Sequence, residues 1–152
     1  VKKIYIGALL TLLIVISMIF YQQQQLIKDY RESIYGDLAR VQKPIERILT
    51  FQETAEQFND EQRAQLFDPL YNAFADVFNY GGGGTLHLEP HIKEQYYHEY
   101  MDAKTKYAVI VQAYMEATTP QEREKAHMRL KEQYEAYEKF LKSAATELVE
   151  PF

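Results

Sequence analysis

The chain opens with an unbroken apolar run and then changes to a spaced one. Ile4 to Phe20 reads IYIGALLTLLIVISMIF, 17 residues without a charge. A helix needs about 17–25 such residues to cross the hydrocarbon core of a bilayer. Tyr5 and Tyr21 stand at the two ends of the run, where amphipathic rings favour the headgroup layer. From Leu26 onward the apolar positions recur at steps of 4 and 3, through Tyr30, Ile34, Leu38, Val41, Ile45 and Ile48. That spacing lines one face of a helix. It predicts a first helix that leaves the apolar run directly and continues to about Phe58. Gly36 and Pro44 interrupt it, with a kink near Gln42, because Pro44 lacks an amide donor and clashes with the preceding turn.

Further helices follow from cap signals and stripes. Asn59-Asp-Glu-Gln62 has the form of a capping box. Asp68-Pro69 reads as a second start, with Asp as N-cap and Pro at the first helical position. Between and beyond these lie two adjacent stripes, Leu66, Leu70, Ala73, Val77 and Phe67, Tyr71, Phe74, Phe78. Gly81–Gly84 ends the segment, since successive glycines hold regular structure only at high entropic cost. Thr85–Leu88, limited by Pro90, reads as loop. His91 to Ala117 is the clearest helix: Tyr96, Tyr100, Ala103, Tyr107, Ile110, Tyr114 and Ala117 alternate steps as a heptad seam does, and Met101, Ala108, Val111 and Met115 widen it. Thr119-Pro-Gln-Glu122 combines a capping box with Pro at the first position. The helix after it carries Leu130, Tyr134, Tyr137, Leu141, Ala144 and Leu148. The short link at Thr118–Thr119 makes these two helices antiparallel neighbours. The predicted fold is all-α: residues 1–25 form a single transmembrane anchor, and residues 26–152 an up-and-down bundle of about three to four helices.

Composition and charge narrow the function. There is no Cys, which removes disulfides, thiolate metal sites and Cys nucleophiles together. With Lys2 and Lys3 set aside, 15 basic residues face 22 acidic ones, a net of −7. A domain of that sign is repelled by nucleic acid and by anionic lipid, so nucleic acid is not an expected partner. Lys2 and Lys3 favour an N-terminus in the cytoplasm, with Lys28 and Arg31 blunting the bias. The expected placement is a single-pass protein of the cell membrane with its C-terminal domain outside the cytoplasm. After the apolar run come Phe20, Tyr21 and four glutamines. That stretch offers no small-residue cleavage site, so the segment reads as an uncleaved signal-anchor.

Five groups of residues bear on a possible site. His91, Glu94 and His98, with His87 upstream, carry metal-ligand chemistry. However, the two histidines are two turns apart, about 10 Å of rise, so no metal is expected. The glycine tetrad lacks the following Lys-Ser/Thr and the preceding strand of a phosphate loop. Paired carboxylates such as Glu53 with Glu56 and Glu122 with Glu124 suit solvated helix faces. Ser17, Ser33 and Ser143 are the only serines, and none sits in a nucleophile motif. Neither catalysis nor a cofactor is expected. That leaves the tyrosine seam. Tyr100, Tyr107 and Tyr114 recur every seven residues, which normally means core. Yet phenolic hydroxyls need partners when buried, and amphipathic rings are enriched at interfaces. These three are the expected partner-binding residues.

The reading is a membrane-anchored helical interaction module that binds a protein partner or self-associates outside the cytoplasm. A membrane helix running straight into the first bundle helix also resembles the extracytoplasmic ligand-binding bundles of chemoreceptors. That resemblance is architectural. It implies a sensory domain and a second membrane span, and this sequence reaches Phe152 without one.

Overall fold

The computed structural model describes residues 2–77 and 94–149. Among them every regular element is helical. The order is α1 (Lys2–Ala39), α2 (Gln42–Thr54), a 3-10 turn (Ala55–Gln57), α3 (Asp60–Ala75), α4 (Glu94–Glu116) and α5 (Pro120–Leu148). His87, His91, the Gly81–Gly84 tetrad, Thr85–Leu88, Pro90 and Phe78 lie outside the described residues.

α1 is 38 residues long, roughly 57 Å of helix. Its first half is long and apolar enough to cross a membrane, and the large side chains from Tyr5 to Tyr21 are all exposed. The predicted stripe begins to be covered later than its spacing suggested. Leu26 is 71% exposed, whereas Ile34, Leu38, Val41, Ile45 and Ile48 are buried. Between the apolar run and Ile34 the helix is therefore a stalk of about 20 Å.

The expected interruption at Gly36 does not occur. Gly36 lies inside α1, where a single glycine weakens a helix without breaking it. The break falls instead at Arg40–Val41, between the ends of α1 and α2. Pro44 is its cause, because its ring crowds the carbonyl four residues back, that of Arg40. The axis carries on in α2, whose Ile45, Ile48 and Phe51 continue the buried face.

Two capping boxes close as the sequence predicted. At α3, Gln62 N donates to Asn59 Oδ1 at 2.9 Å and Asn59 N to Gln62 Oε1 at 3.2 Å. At α5, Glu122 N donates to Thr119 Oγ1 at 3.2 Å and Thr119 N to Glu122 Oε2 at 3.0 Å. The second start expected at Asp68-Pro69 does not form, and Pro69 sits inside α3. Phe67 and Phe74, buried on either side of it, hold the helix through a position that a proline would otherwise weaken. α3 is also less buried than its two stripes predicted, with Leu66 exposed and only the Phe67–Phe74 line fully covered.

α4 and α5 are antiparallel neighbours across Ala117–Thr119. Tyr96, Tyr100, Ala103, Tyr107, Ile110 and Tyr114 are all buried, with Val111 beside them. Ala108 and Met115, expected to widen the stripe, are exposed. α5 answers with Leu130, Tyr137, Leu141, Ala144 and Leu148, and packs against α1 and α2 as well as α4. The core thus runs from Ile34 at the stalk end to Phe67 and Ala126 at the remote end.

Candidate functional site at the remote end of the bundle

The tyrosine seam belongs to the core. Tyr107 is fully enclosed; its hydroxyl donates to Gln42 Oε1 at 3.1 Å, with the Gln133 carbonyl at 3.4 Å. Its ring meets Tyr137 edge-on, with centroids 6.0 Å apart. Burial pushes both hydroxyls far above the usual phenol range, because a phenolate cannot be solvated there. Tyr100 is buried next to Lys104, whose ammonium lies 5.4 Å from the ring centroid. Desolvation raises the Tyr100 hydroxyl and lowers the Lys104 ammonium. Tyr114 differs from both. It packs on Phe67, 5.2 Å between centroids, but its other side borders a cavity.

That cavity, of about 260 Å³, lies where the C-terminal end of α2, the 3-10 turn, α3 and the start of α5 converge. Its walls include Gln52, Glu56, Arg63, Tyr114, Arg123 and His127. The sequence logic of the site is that three apolar stripes end in polar residues at the same level. The α2 stripe Val41, Ile45, Ile48 steps next to Gln52. One turn before Phe67 the α3 stripe has Arg63, and two turns before Leu130 the α5 stripe has Arg123. A polar residue at a seam position costs stability unless something satisfies it.

Gln52 is the sharpest case. It is only 8% exposed, and its Oε1 lies 2.6 Å from His127 Nδ1. Its Nε2 is buried and has no hydrogen-bond partner among the described residues. Turning the amide over would exchange the roles of O and N and leave the oxygen unpaired instead. A buried polar atom of this kind costs about 1–3 kcal/mol.

The charged walls form no ion pair among the described residues. Arg63 Nε donates to the carbonyls of Ala55 at 2.8 Å and Phe58 at 3.0 Å, which ties the 3-10 turn to α3. Among the described residues, neither Arg63 nor Arg123 has a carboxylate within ion-pair distance, and neither Glu56 nor Glu124 has a cation. The Tyr114 hydroxyl makes no hydrogen bond to a described residue. Burial raises it, and the nearby guanidinium groups of Arg63 and Arg123 pull it partly back. Chemically the cavity walls mix the cations of Arg63 and Arg123 with the carboxylates of Glu56 and Glu124. No serine, threonine or cysteine is among the described residues that line the cavity.

Two shallower grooves adjoin the cavity. One runs along α5 past Pro120, Met128 and Arg129; the other passes between Phe51, Phe67 and Met115. Met115 and Met128 are exposed. Elsewhere, His98 is at the surface of α4 with its ring edge-on to Tyr97. No group of three or more His, Asp or Glu able to hold a metal ion occurs among the described residues. Spacing along the sequence does not mark Gln52, Arg63, Arg123 and His127 as a group, because they come from three different helices. Comparison with known protein families, with characterised proteins and with solved structures finds no match to this chain.

Proposed function

We propose that the chain is a membrane-anchored recognition module, its helical domain held outside the cytoplasm to bind a protein partner or a second copy of itself. The observation that carries this reading is the continuity of α1, which passes without a turn from an exposed apolar segment into the buried core. A bundle attached in this way is held off the bilayer with its remote end foremost. That end collects the exposed Met115 and Met128 and the grooves around them. Methionine is well suited to adaptable protein contacts. Lys2 and Lys3 before the apolar run support a cytoplasmic N-terminus.

The test has two parts. Protease added to intact cells, with any outer membrane permeabilised, should remove a C-terminal tag. Cross-linking in native membranes from positions 115 and 128 should capture a discrete adduct, and Met128→Glu should abolish it. A tag cleaved only after lysis would reverse the orientation. Absence of any adduct from either position would remove the partner-binding reading.

A further inference from the structure

We propose that α1 pairs in parallel with the α1 of a second copy of this chain, through a stripe that runs from the apolar segment into the stalk. The inference rests on the reading of α1 as a membrane anchor. It is independent of the remote end of the bundle and of the side of the membrane on which the bundle stands.

Three apolar side chains of the stalk are open to solvent. Leu26 is 71% exposed, Ile27 45% and Tyr30 39%, and the core begins only at Ile34. Leu26 stands six residues beyond Phe20, the end of the apolar run, which is about 9 Å along the axis. The headgroup layer on each side of a bilayer is roughly 5–8 Å deep, so the hydrocarbon does not reach Leu26. A lone helix in water gains most from a neighbour that covers such residues.

The pattern around Leu26 selects that neighbour. Steps of 4 and 3 lead forward to Tyr30 and Ser33 and back to Gln23, as in a heptad seam. Inside the apolar run the same phase falls on Leu9, Leu12, Ile16 and Ile19, all exposed. In a parallel pair of identical helices each seam residue meets its own copy, so a charge there would meet its own sign. The four charges of the stalk, Lys28, Asp29, Arg31 and Glu32, all lie off the seam. Gln23 lies on it, and an amide is self-complementary because it both donates and accepts. One such residue in an apolar seam fixes the register. Two copies anchored in one bilayer are already parallel and at equal depth. The stripe from Tyr5 to Ser33 offers roughly 800 Å² per copy, the size of a standard specific interface. It ends there because the phase next reaches Asp37 and Arg40, which pair with each other at 3.1 Å.

A rival face exists within the membrane. Gly7 and Thr11 are small residues one turn apart, with Thr11 Oγ1 donating to the Gly7 carbonyl at 3.0 Å, and small residues let helices approach closely in lipid. Followed outward at the same steps, however, that face arrives at Gln25, Lys28 and Glu32. Parallel pairing there would set each of the two charges against its own copy.

The chain has no cysteine, so single-cysteine substitutions at positions 22 to 33 of the full chain, oxidised in native membranes, report contact residue by residue. Disulfide-linked dimer should peak at Gln23, Leu26, Tyr30 and Ser33, about fivefold above Gln25, Lys28 and Glu32, the contrast expected between the inside and outside of a paired seam. Leu26→Glu combined with Ser33→Cys should lower the dimer yield by about the same factor. Leu26 is exposed within one copy, so the circular dichroism spectrum should not change; should it change, the cysteine profile decides alone. Peaks at Gln25, Lys28 and Glu32 would assign pairing to the rival face and overturn the proposal. So would a flat profile, no dimer at any position, or full dimer yield in the Leu26→Glu chain with an unchanged spectrum. Carbonate washing separates the two readings: a chain that stays in the membrane without dimerising loses only the pairing, and one that washes off loses the anchor.

Discussion

The Tyr137 hydroxyl donates to the backbone carbonyl of Leu38 at 2.9 Å, joining residues 99 positions apart. The carbonyl is one of the last in α1, where the helix has no amide of its own left to offer. Pro44 creates the break, and a tyrosine from α5 satisfies part of what the break exposes. Tyr137→Phe keeps the ring and removes only that donor. It should cost about 1–3 kcal/mol, because the Leu38 carbonyl stays buried without a partner. Urea unfolding followed by circular dichroism measures it, and an unchanged midpoint would mean that the carbonyl finds another donor.

Tyr107 is fully buried between Gln42 of α2 and Gln133 and Tyr137 of α5, so Tyr107→Ala should cost about 3–5 kcal/mol, by analogy with Phe→Ala in other cores. Tyr107→Phe should cost about 0.5–1.5 kcal/mol, the net worth of an ordinary hydrogen bond, here the one to Gln42. Tyr114→Ala should be milder than Tyr107→Ala, since part of that ring borders the cavity. Thermal melting of the three variants gives the order. Equal losses at positions 107 and 114 would contradict the difference in their surroundings.

Buried tyrosines make the fold sensitive to alkali. Burial raises Tyr100, Tyr107, Tyr114, Tyr134 and Tyr137 above their unfolded value, so the folded chain keeps protons that the unfolded chain releases. The stability this represents is fully present below a pH of about 10 and is lost as the pH rises from there toward the raised values. Lys104, lowered by desolvation, acts in the opposite sense but is a single group. Unfolding midpoints should therefore fall steeply above about pH 10. The fall should be shallower in Tyr137→Phe, and a flat profile would argue against buried phenols.

Gly36 sits within α1 with open space where a Cβ would project. Gly36→Ala should stabilise the domain by about 0.5–1 kcal/mol through helix propensity alone. The same denaturation experiment reads it, and a loss of stability would mean that the glycine serves a bend that the helix makes at other times.

Helix boundaries were legible because each is written locally. The Asn59 and Thr119 boxes need only residues three apart, and Pro44 acts on the turn before it. Asp68-Pro69 misled because a local start signal competes with burial of Phe67 and Phe74, which no local rule can weigh. The seam of Tyr100, Tyr107 and Tyr114 was visible by its period, but its period could not separate a wet interface from a covered core. The cavity escaped for a related reason. Gln52 and His127 are 75 residues apart, and Arg63 and Arg123 come from different helices. One signal was present all the same: Gln52 occupies the position where the Val41, Ile45, Ile48 stripe calls for another apolar side chain.

The uninterrupted course of α1 from Lys2 to Ala39 makes tilt and rotation a single mechanical variable for both of its halves. A rod of this length cannot be turned at one end and left still at the other. Any torque on the bundle is therefore felt by the apolar segment, and any lean imposed on that segment swings the far end through an arc. Arg40–Val41 is the first place along the axis where such a motion could be absorbed, and it lies beneath the Tyr137 bond.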